Sequence, residues 1–221
     1  MAERVKTRKY DSRRRSAAAA QTKADVIEAA RRLFLHNGYE QTTLGAVAEA
    51  AQVSVATVKA IFANKAGLVS AVRDAAMAGD VEPIPLADRD WYVNIVDEPE
   101  PIAKLSAFAK AITDVHLRVA QVHLLVRDAG ASDPDMAALW RLEHTQRREG
   151  MAGVVRSMRS QGTLRQGLSV ETATATLWVL SDPASYWLLT DVGGWSIKKY
   201  TAWLRRTMID ALCDPGVPSS R

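Results

Sequence analysis

The sequence predicts an all-α fold, with an N-terminal three-helix helix-turn-helix domain followed by a larger helical domain. Apolar residues recur at helical spacing along most of the chain, and no stretch alternates between apolar and polar residues as a half-buried strand would. Glycine and proline divide this pattern into helices of ordinary length. With 48% hydrophobic and 24% charged residues, the composition is that of a globular protein.

Residues 22–79 are predicted to form the first domain, which consists of four short helices. The first helix begins at Lys23 and stops at Asn37-Gly38, because glycine ends helices readily. Short polar side chains cap the next three helices, at Thr42-Thr43, Ser54 and Asn64. The inward residues of the third helix are predicted to be Val55, Val58, Ile61 and Phe62.

The remaining segments are predicted from their composition. Residues 80–101 are rich in proline and form a linker, in which the bulky residues between Trp91 and Val96 dock as a short helical turn. Residues 102–213 form a helical ligand-binding and dimerisation domain, and 214–221 a disordered tail. Helices are expected at about 101–129, 134–160, 169–191 and 196–213.

Positive charge is concentrated at the front of the chain. Residues 1–78 hold 13 Lys and Arg against 7 Asp and Glu, whereas the rest holds 16 against 18. This asymmetry indicates a polyanionic partner, and nucleic acid is favoured over an anionic membrane because no basic amphipathic helix with bulky apolar anchors accompanies it. Residues 1–21 are predicted to be a flexible basic arm, which either enters a DNA groove or only solubilises the protein.

The predicted third helix has an outward face suited to DNA. Its short and cationic side chains include no acid, so a duplex can approach closely. Lys65 lies in the first turn of the fourth helix, where a cation opposes the helix dipole unless an anion such as phosphate is near. Thr43 and the free amides of the second helix form a second phosphate site. The predicted DNA-binding residues are Thr43, Ser54, Val55, Ala56, Thr57, Lys59, Ala60 and Lys65.

The run KADVIEAARRLFLHNGYEQTTLGAVAEAAQVSVATVKAIFANKAGLVSAV resembles the DNA-binding domain of the tetracycline-repressor (TetR) family. It matches the family pattern of an AA-x-x-LF helix, G-Y, T-T, A-x-x-A, V-S and F-x-x-K-x-x-L. The resemblance implies that residues 55–62 are the recognition helix and that Thr43, Thr57 and Lys65 contact phosphates.

Four positions depart from the family pattern. Gln52 replaces the usual glycine of the turn, Lys59 a tyrosine that touches phosphate, and Ile61 a histidine. Gly67 stands where an acidic residue is common, and it is expected to weaken the fourth helix slightly. Lys59 can replace the tyrosine as a point charge on phosphate.

A homodimer through the last two helices is predicted, because they carry more bulky apolar surface than one hairpin buries. These residues are Trp178, Leu180, Tyr186, Trp187, Leu188, Leu189, Trp195, Trp203, Leu204, Met208 and Leu212. A pocket for an unknown small-molecule effector is expected among the middle helices. Its candidate residues are His116, His123, Arg127, Trp140 and His144.

These features predict a cytoplasmic, dimeric DNA-binding transcription regulator, a repressor released from a palindromic operator by an effector. A DNA-binding dimer without an effector and a small helical enzyme or carrier are the alternatives. No catalytic constellation, cofactor motif or metal motif supports an enzyme, and the single Cys213 has no base beside it. No membrane partner is expected, because no apolar run approaches the length of a membrane span.

Overall fold

The computed structural model describes residues 3–82 and 84–215, with side chains from Ser16 onward. This part of the chain is helical and contains no strand, which confirms the predicted class. The predicted tail lies outside it, except for Asp214 and Pro215. The helices are α1 (Glu3–Gln41), α2 (Leu44–Ala50), α3 (Val55–Phe62), α4 (Lys65–Ala78), α5 (Asp90–Asp97), α6 (Pro101–Ala129), α7 (Pro134–Ser160), α8 (Val170–Leu180), α9 (Pro183–Trp187) and α10 (Ile197–Leu212).

The chain divides into two compact units, one ending at Ala75 and the other beginning at Ala76. The division therefore falls within α4, and the predicted linker at 80–101 belongs to the second unit. There, Arg89 donates two hydrogen bonds to the Asp80 carboxylate, at 2.6 and 2.9 Å, and α5 buries Ile95 in the core of that unit. The predicted docked helical turn is confirmed as α5.

In the first unit, α2 packs on α1 and α3, and the α2 and α3 axes differ by 110°. The predicted caps are present, because Thr43, Ser54 and Asn64 accept hydrogen bonds from the amides of Ala46, Thr57 and Gly67. The helices share an apolar core that fixes α3 on one side. Its residues include Val26, Ile27, Ala30, Phe34, Val47, Ala48, Val58, Phe62, Leu68, Val69 and Val72.

The first helix is interrupted at its predicted end but does not begin at its predicted start. The stop at Gly38 is confirmed as a kink, because α1 continues to Gln41 but Gly38 itself has a non-helical backbone with φ 79° and ψ 171°. The predicted start at Lys23 is wrong, because α1 is already helical from Glu3. Alanine is the strongest helix former, and the alanine run at 17–20 carries the helix through the predicted arm. Thr22 Oγ1 donates to the Ala18 carbonyl at 2.9 Å within this segment.

The inward face of α3 is narrower than predicted. Val58 and Phe62 are buried, but Val55 and Ile61 are 41% and 37% exposed. An eight-residue helix that rests on α2 buries only one stripe, and residues four apart fill it. The expectation that Val55 and Ile61 point inward was therefore wrong.

Gly67 has a steric role that the sequence did not indicate. Ala63 ends α3 in a left-handed conformation with φ 61°, and this tight turn brings the Phe62 carbonyl close to Gly67. A Cβ at residue 67 would overlap that oxygen. The turn between α3 and α4 therefore requires glycine at this position, although glycine also lowers the helix propensity of α4.

The second unit packs α6 against α7, α9 and α10, and α7 against α8. The predicted helices at 101–129, 134–160 and 196–213 are confirmed as α6, α7 and α10. The single helix predicted at 169–191 is wrong, because it consists of α8, α9 and a π-helical turn at Leu188–Val192. Pro183 lacks an amide hydrogen and starts α9, and the Asp182 side chain caps α9 by accepting from Ala184 N at 2.8 Å.

A buried histidine joins α6 to α10. His116 Nε2 lies 3.0 Å from the Ser181 carbonyl, which can only accept, so Nε2 carries the hydrogen. Nδ1 therefore accepts from the Tyr200 hydroxyl at 3.1 Å. Burial, helped by the nearby Arg147 charge, lowers the pKa of His116 from 6.5 to about 3. The ring is a neutral structural link, fully hydrogen-bonded within the protein.

Replacing Gln52 by glycine is expected to raise the free energy of unfolding by about 0.5–1 kcal/mol. Gln52 has φ 56°, and left-handed backbone costs a residue with a side chain about 1–2 kcal/mol. Glycine avoids this cost, although its greater freedom in the unfolded chain offsets about 0.5–1 kcal/mol. Urea unfolding followed by circular dichroism measures the change. The control is Ala51→Gly, since Ala51 has φ −91° and should lose stability; equal effects of the two changes would rule out the backbone explanation.

Acidification from pH 6.5 to 5 is expected to lower the free energy of unfolding by up to about 2 kcal/mol. His116 has a lower pKa in the folded state than in the unfolded state, so below pH 6.5 the unfolded chain binds more protons, and each pH unit costs about 1.4 kcal/mol. Urea titrations read by tryptophan fluorescence test this, since all six tryptophans lie at 91–203. His36→Gln, at an exposed site, should keep the pH dependence. Stability that does not change between pH 7 and 5 would contradict the assignment.

Candidate nucleic-acid interface and buried polar cluster

The free face of α3 carries small side chains and one cation. Val55, Ala56, Lys59 and Ala60 are exposed, and Thr57 is half-buried. α3 contains no acidic residue. The surface is therefore open to close approach by a polyanion and does not repel it.

The N-terminus of α3 is organised by two hydroxyl groups. Ser54 accepts from Thr57 N at 3.0 Å, and the Ser54 and Thr57 hydroxyl oxygens lie 2.9 Å apart. When Ser54 donates its proton to Thr57 Oγ1, the Thr57 proton is free to reach an external oxygen. Thr43 is arranged similarly at α2, where its oxygen accepts from Ala46 N at 3.1 Å.

Lys59 is the cation that this face presents. It is exposed in the last turn of α3, and within the described part of the chain it has neither a hydrogen-bond nor an ion-pair partner. Lys59 and Lys23 of α1 line the same shallow surface recess of about 400 Å³. The sequence analysis missed Lys23, because only the packing of α1 brings it near a residue 36 positions away.

Lys65 has a role within the protein that the sequence did not indicate. Its Nζ donates to the Glu40 carbonyl at 3.2 Å and lies 4.2 Å from the centre of the Tyr39 ring. The negative end of α1 and an aromatic face thus stabilise a cation at the start of α4. An external phosphate is not needed to explain its position.

The five predicted effector residues are only partly brought together. The rings of His123, Trp140 and His144 are in contact, with ring centres 4.6 Å apart for His123–Trp140 and 4.1 Å for Trp140–His144. His116 is held by Ser181 and Tyr200, as described above. Arg127 is half-exposed and pairs with the adjacent Asp128 at 2.8 Å, so the structure does not bring it to the other four.

A set of charged groups that the sequence analysis missed surrounds these rings. We define the buried polar cluster as His123 of α6, four residues of α7, and two residues at the α8–α9 connection. The α7 members are Trp140, Glu143, His144 and Arg147, and the others are Trp178 and Asp182. The α7 members recur at 140, 143, 144 and 147, a helical spacing that could have indicated one face in the sequence.

Hydrogen bonds connect the cluster. His123 Nδ1 lies 2.5 Å from Glu143 Oε1, and both side chains are fully buried. Arg147 donates to Asp182 at 2.9 Å and to the Ser181 carbonyl at 2.9 Å, the same oxygen that accepts from His116. The carbonyl between α8 and α9 thus joins the cluster to the His116–Tyr200 pair.

The electrostatics of the cluster follow from burial and from Arg147. Burial alone would raise the pKa of Asp182, but the Arg147 guanidinium and the hydrogen bond from Ala184 N hold it below its usual value. Burial, and then the Arg147 charge, lower the pKa of His144. Asp182 is therefore ionised and His144 neutral at pH 7. Among residues 3–82 and 84–215, no group of three or more His, Cys, Asp or Glu residues could hold a metal ion.

Among the described helices, no single one is both long and apolar enough to cross a membrane. The α2–α3 pair meets those criteria only as a bent pair, by length and composition. Its apolar residues Val47, Val58 and Phe62 are buried in the first unit.

Comparisons with known proteins agree with this architecture. Residues 26–72 match the model of the family "Bacterial regulatory proteins, tetR family". No curated protein resembles the chain closely enough in sequence to count as a match.

Solved structures resemble the fold over most of the chain. A protein from Rhodococcus sp. described as a TetR-family transcriptional regulator is 14% identical, with a TM-score of 0.69 over 88% of this chain and 100% of its own. A transcriptional regulator from Saccharomonospora viridis in complex with choline is 16% identical, with a TM-score of 0.65 over 88% and 99%. NalD from Pseudomonas aeruginosa, the secondary repressor of the MexAB-OprM efflux pump, is 17% identical, with a TM-score of 0.64 over 88% and 98%. These likenesses show the fold, and the match to the tetR family of bacterial regulatory proteins covers residues 26–72 of the first unit.

Proposed function

We propose that this protein is a dimeric repressor, which binds a palindromic operator through α3 and leaves it when a small molecule binds the second unit. The observation that carries the proposal is the free face of α3, where small side chains and Lys59 lie exposed on a helix-turn-helix. Helices of this kind enter the major groove and contact base edges with their N-terminal residues.

The roles on DNA follow from the chemistry of each side chain. Ala56 and Ala60 allow the backbone of α3 to approach the bases, and Val55 provides an apolar surface for a thymine methyl group. Ser54 and Thr57 lie at the N-terminus of α3, where amides and hydroxyls favour phosphate. Lys59 contacts the DNA backbone as a point charge.

Thr43 and Lys65 are assigned supporting roles on phosphate. Thr43 keeps a hydroxyl proton to donate while its oxygen caps α2. Lys65 donates a hydrogen bond to the Glu40 carbonyl at 3.2 Å, and its positive charge also attracts a phosphate. The excess of 13 cationic over 7 acidic residues in the first 78 positions supports the same partner, because a polyanion is attracted at long range.

Repression and release by an effector are proposed from the fold relatives. NalD is a repressor, and the Saccharomonospora viridis regulator is in complex with choline. In this chain the buried polar cluster of the second unit offers polar and aromatic groups to a ligand. A ligand releases DNA only if it binds the two states of the protein unequally, and α4 is the helix proposed to transmit the difference.

Dimerisation through the last two predicted helices is supported by apolar side chains that the second unit leaves exposed. Val179 of α8, Leu188 and Val192 of the π-helical turn and Ile197 of α10 are each 47–62% exposed. Four of the bulky apolar residues counted toward this surface lie in the unit's own core. These are Tyr186, Leu204, Met208 and Leu212. A two-fold dimer sets two copies of α3 about one DNA turn apart, roughly 34–36 Å.

Replacing Lys59 by alanine is expected to weaken binding to all DNA sequences and to flatten its salt dependence. Each lost phosphate contact changes the slope of log affinity against log salt by about 0.9, so a dimer that loses two should change by about 1.8. Gel-shift titrations with the DNA upstream of the protein's own reading frame, at several salt concentrations, measure the slope.

Lys110→Ala on α6 is the matched control, because it removes an equal charge from an exposed site of the second unit. Its slope should equal that of the wild type. Lys65→Ala is less specific, since it also removes the contacts with Glu40 and Tyr39. Equal retention of specific and unrelated DNA by the wild type would refute operator recognition.

Replacing Val179 by glutamate is expected to convert the dimer to a monomer. A charge in the centre of an apolar interface is desolvated without a partner, which costs several kcal/mol. Light scattering coupled to size exclusion measures the mass, with Leu117→Glu on α6 as the control at a 46% exposed site. A Val179→Glu protein that remains dimeric would exclude this face as the interface.

A further inference from the structure

The buried polar cluster contains three polar atoms without a hydrogen-bond partner. They are His123 Nε2, Glu143 Oε2 and Trp178 Nε1. His123 and Glu143 are completely buried, and the nearest charged atom to His123 Nε2 is Asp182 Oδ1, at 3.7 Å and beyond hydrogen-bond distance. Because buried polar groups are almost always hydrogen-bonded, three such atoms in one cluster indicate a site that another molecule completes.

The cluster also lacks one positive charge. Glu143 and Asp182 are two acids, and Arg147 is the one permanent cation. Arg147 is committed to Asp182 and to the carbonyls of Ser181 and Trp178, at 2.9 to 3.3 Å. Glu143 is therefore left with the His123 ring, and charge balance requires either a proton on that ring or a cation from outside.

The atoms without a hydrogen-bond partner indicate which functional group such a cation must carry. With its Nδ1 hydrogen donated to Glu143 Oε1, His123 has an Nε2 lone pair, which accepts a hydrogen bond. Glu143 Oε2 is also an acceptor. Glu143 Oε2, the unpartnered oxygen of the acid, suits an ammonium group with N–H donors, which a quaternary ammonium lacks.

The rings of Trp140, His144 and Trp178 provide an aromatic wall. All three are half-buried, whereas Glu143 and His123 are inaccessible, so the rings are the more accessible side of the cluster. His144 is roughly perpendicular to both indoles, with ring centres at 4.1 and 5.5 Å. Aromatic faces stabilise cations and cover apolar groups, and His144 is neutral at pH 7, so it does not repel a cation.

We propose that the buried polar cluster binds a protonated primary amine that carries an apolar or aromatic group. The ammonium donates to Glu143 Oε2, and the apolar group packs on Trp140 and Trp178. This inference rests on the proposed function, for which it names the chemical class of the effector.

Calorimetric titration of the full-length protein at pH 7.5 tests the site with matched probes. Benzylamine and phenethylamine carry the required ammonium group, and benzyl alcohol and 2-phenylethanol are their neutral counterparts. We expect at least one amine to bind at least tenfold more tightly than its alcohol. Lack of binding by both amines, or equal binding of amine and alcohol, overturns the proposal.

Glu143→Gln keeps the shape of the side chain and removes its charge, so amine affinity should fall at least tenfold. Glu149→Gln, on the same helix with a side chain 71% exposed, is the control and should bind as the wild type does. Should Glu143→Gln not fold by circular dichroism, Trp178→Leu serves instead, with an expected loss of at least threefold. Unchanged affinity in a folded variant overturns the assignment.

A gel shift with operator DNA separates this inference from the proposed function. Amine that binds and leaves the DNA complex intact supports the site and refutes its role as the effector site. DNA binding that persists in a protein that binds no amine refutes the site and leaves the regulator intact.

Discussion

The face of the first unit that is proposed to bind DNA depends on one narrow contact, the burial of Val58 and Phe62 beneath α3. Because only these two residues of the helix are buried, the rest of its surface is left for other partners. A wider apolar face would have turned Ala56, Lys59 or Ala60 inward. The Ser54 cap completes the arrangement, since it fixes where α3 begins and therefore which side chains fall on the free face.

The turn after α3 combines a residue of unfavourable backbone conformation, Ala63, with a glycine that avoids a steric clash, Gly67. Ala63 takes a left-handed backbone, and Gly67 supplies the space that the Phe62 carbonyl then needs. Lys65 follows at the start of α4, where the carbonyl of Glu40 and the ring of Tyr39 stabilise its charge. The departure from the usual family residue at this turn, Gly67, is therefore consistent with the local backbone, because the absent side chain makes room for the Phe62 carbonyl.

The second unit is organised around the break between α8 and α9. The Ser181 carbonyl accepts from both His116 and Arg147, and Asp182 caps α9 while it pairs with Arg147. A break in a helix frees backbone groups, and here a neutral histidine of α6 and an arginine of α7 satisfy one of them. Arg147 is occupied by these contacts and by Asp182, and Glu143 Oε2 is left without a hydrogen-bond partner.

The sequence by itself determined the helical class, the caps at Thr43, Ser54 and Asn64, and the resemblance of residues 26–72 to the tetR family, because these depend on short-range patterns. It could not determine which residues of α3 are covered, since Val55 and Ile61 have the same hydrophobic character as Val58 and only packing against α2 distinguishes them. It also missed Glu143, Arg147 and Asp182, because a charged residue on a helix is ordinarily solvated. Only the tertiary structure brings partners from distant helices close enough for such charges to be buried.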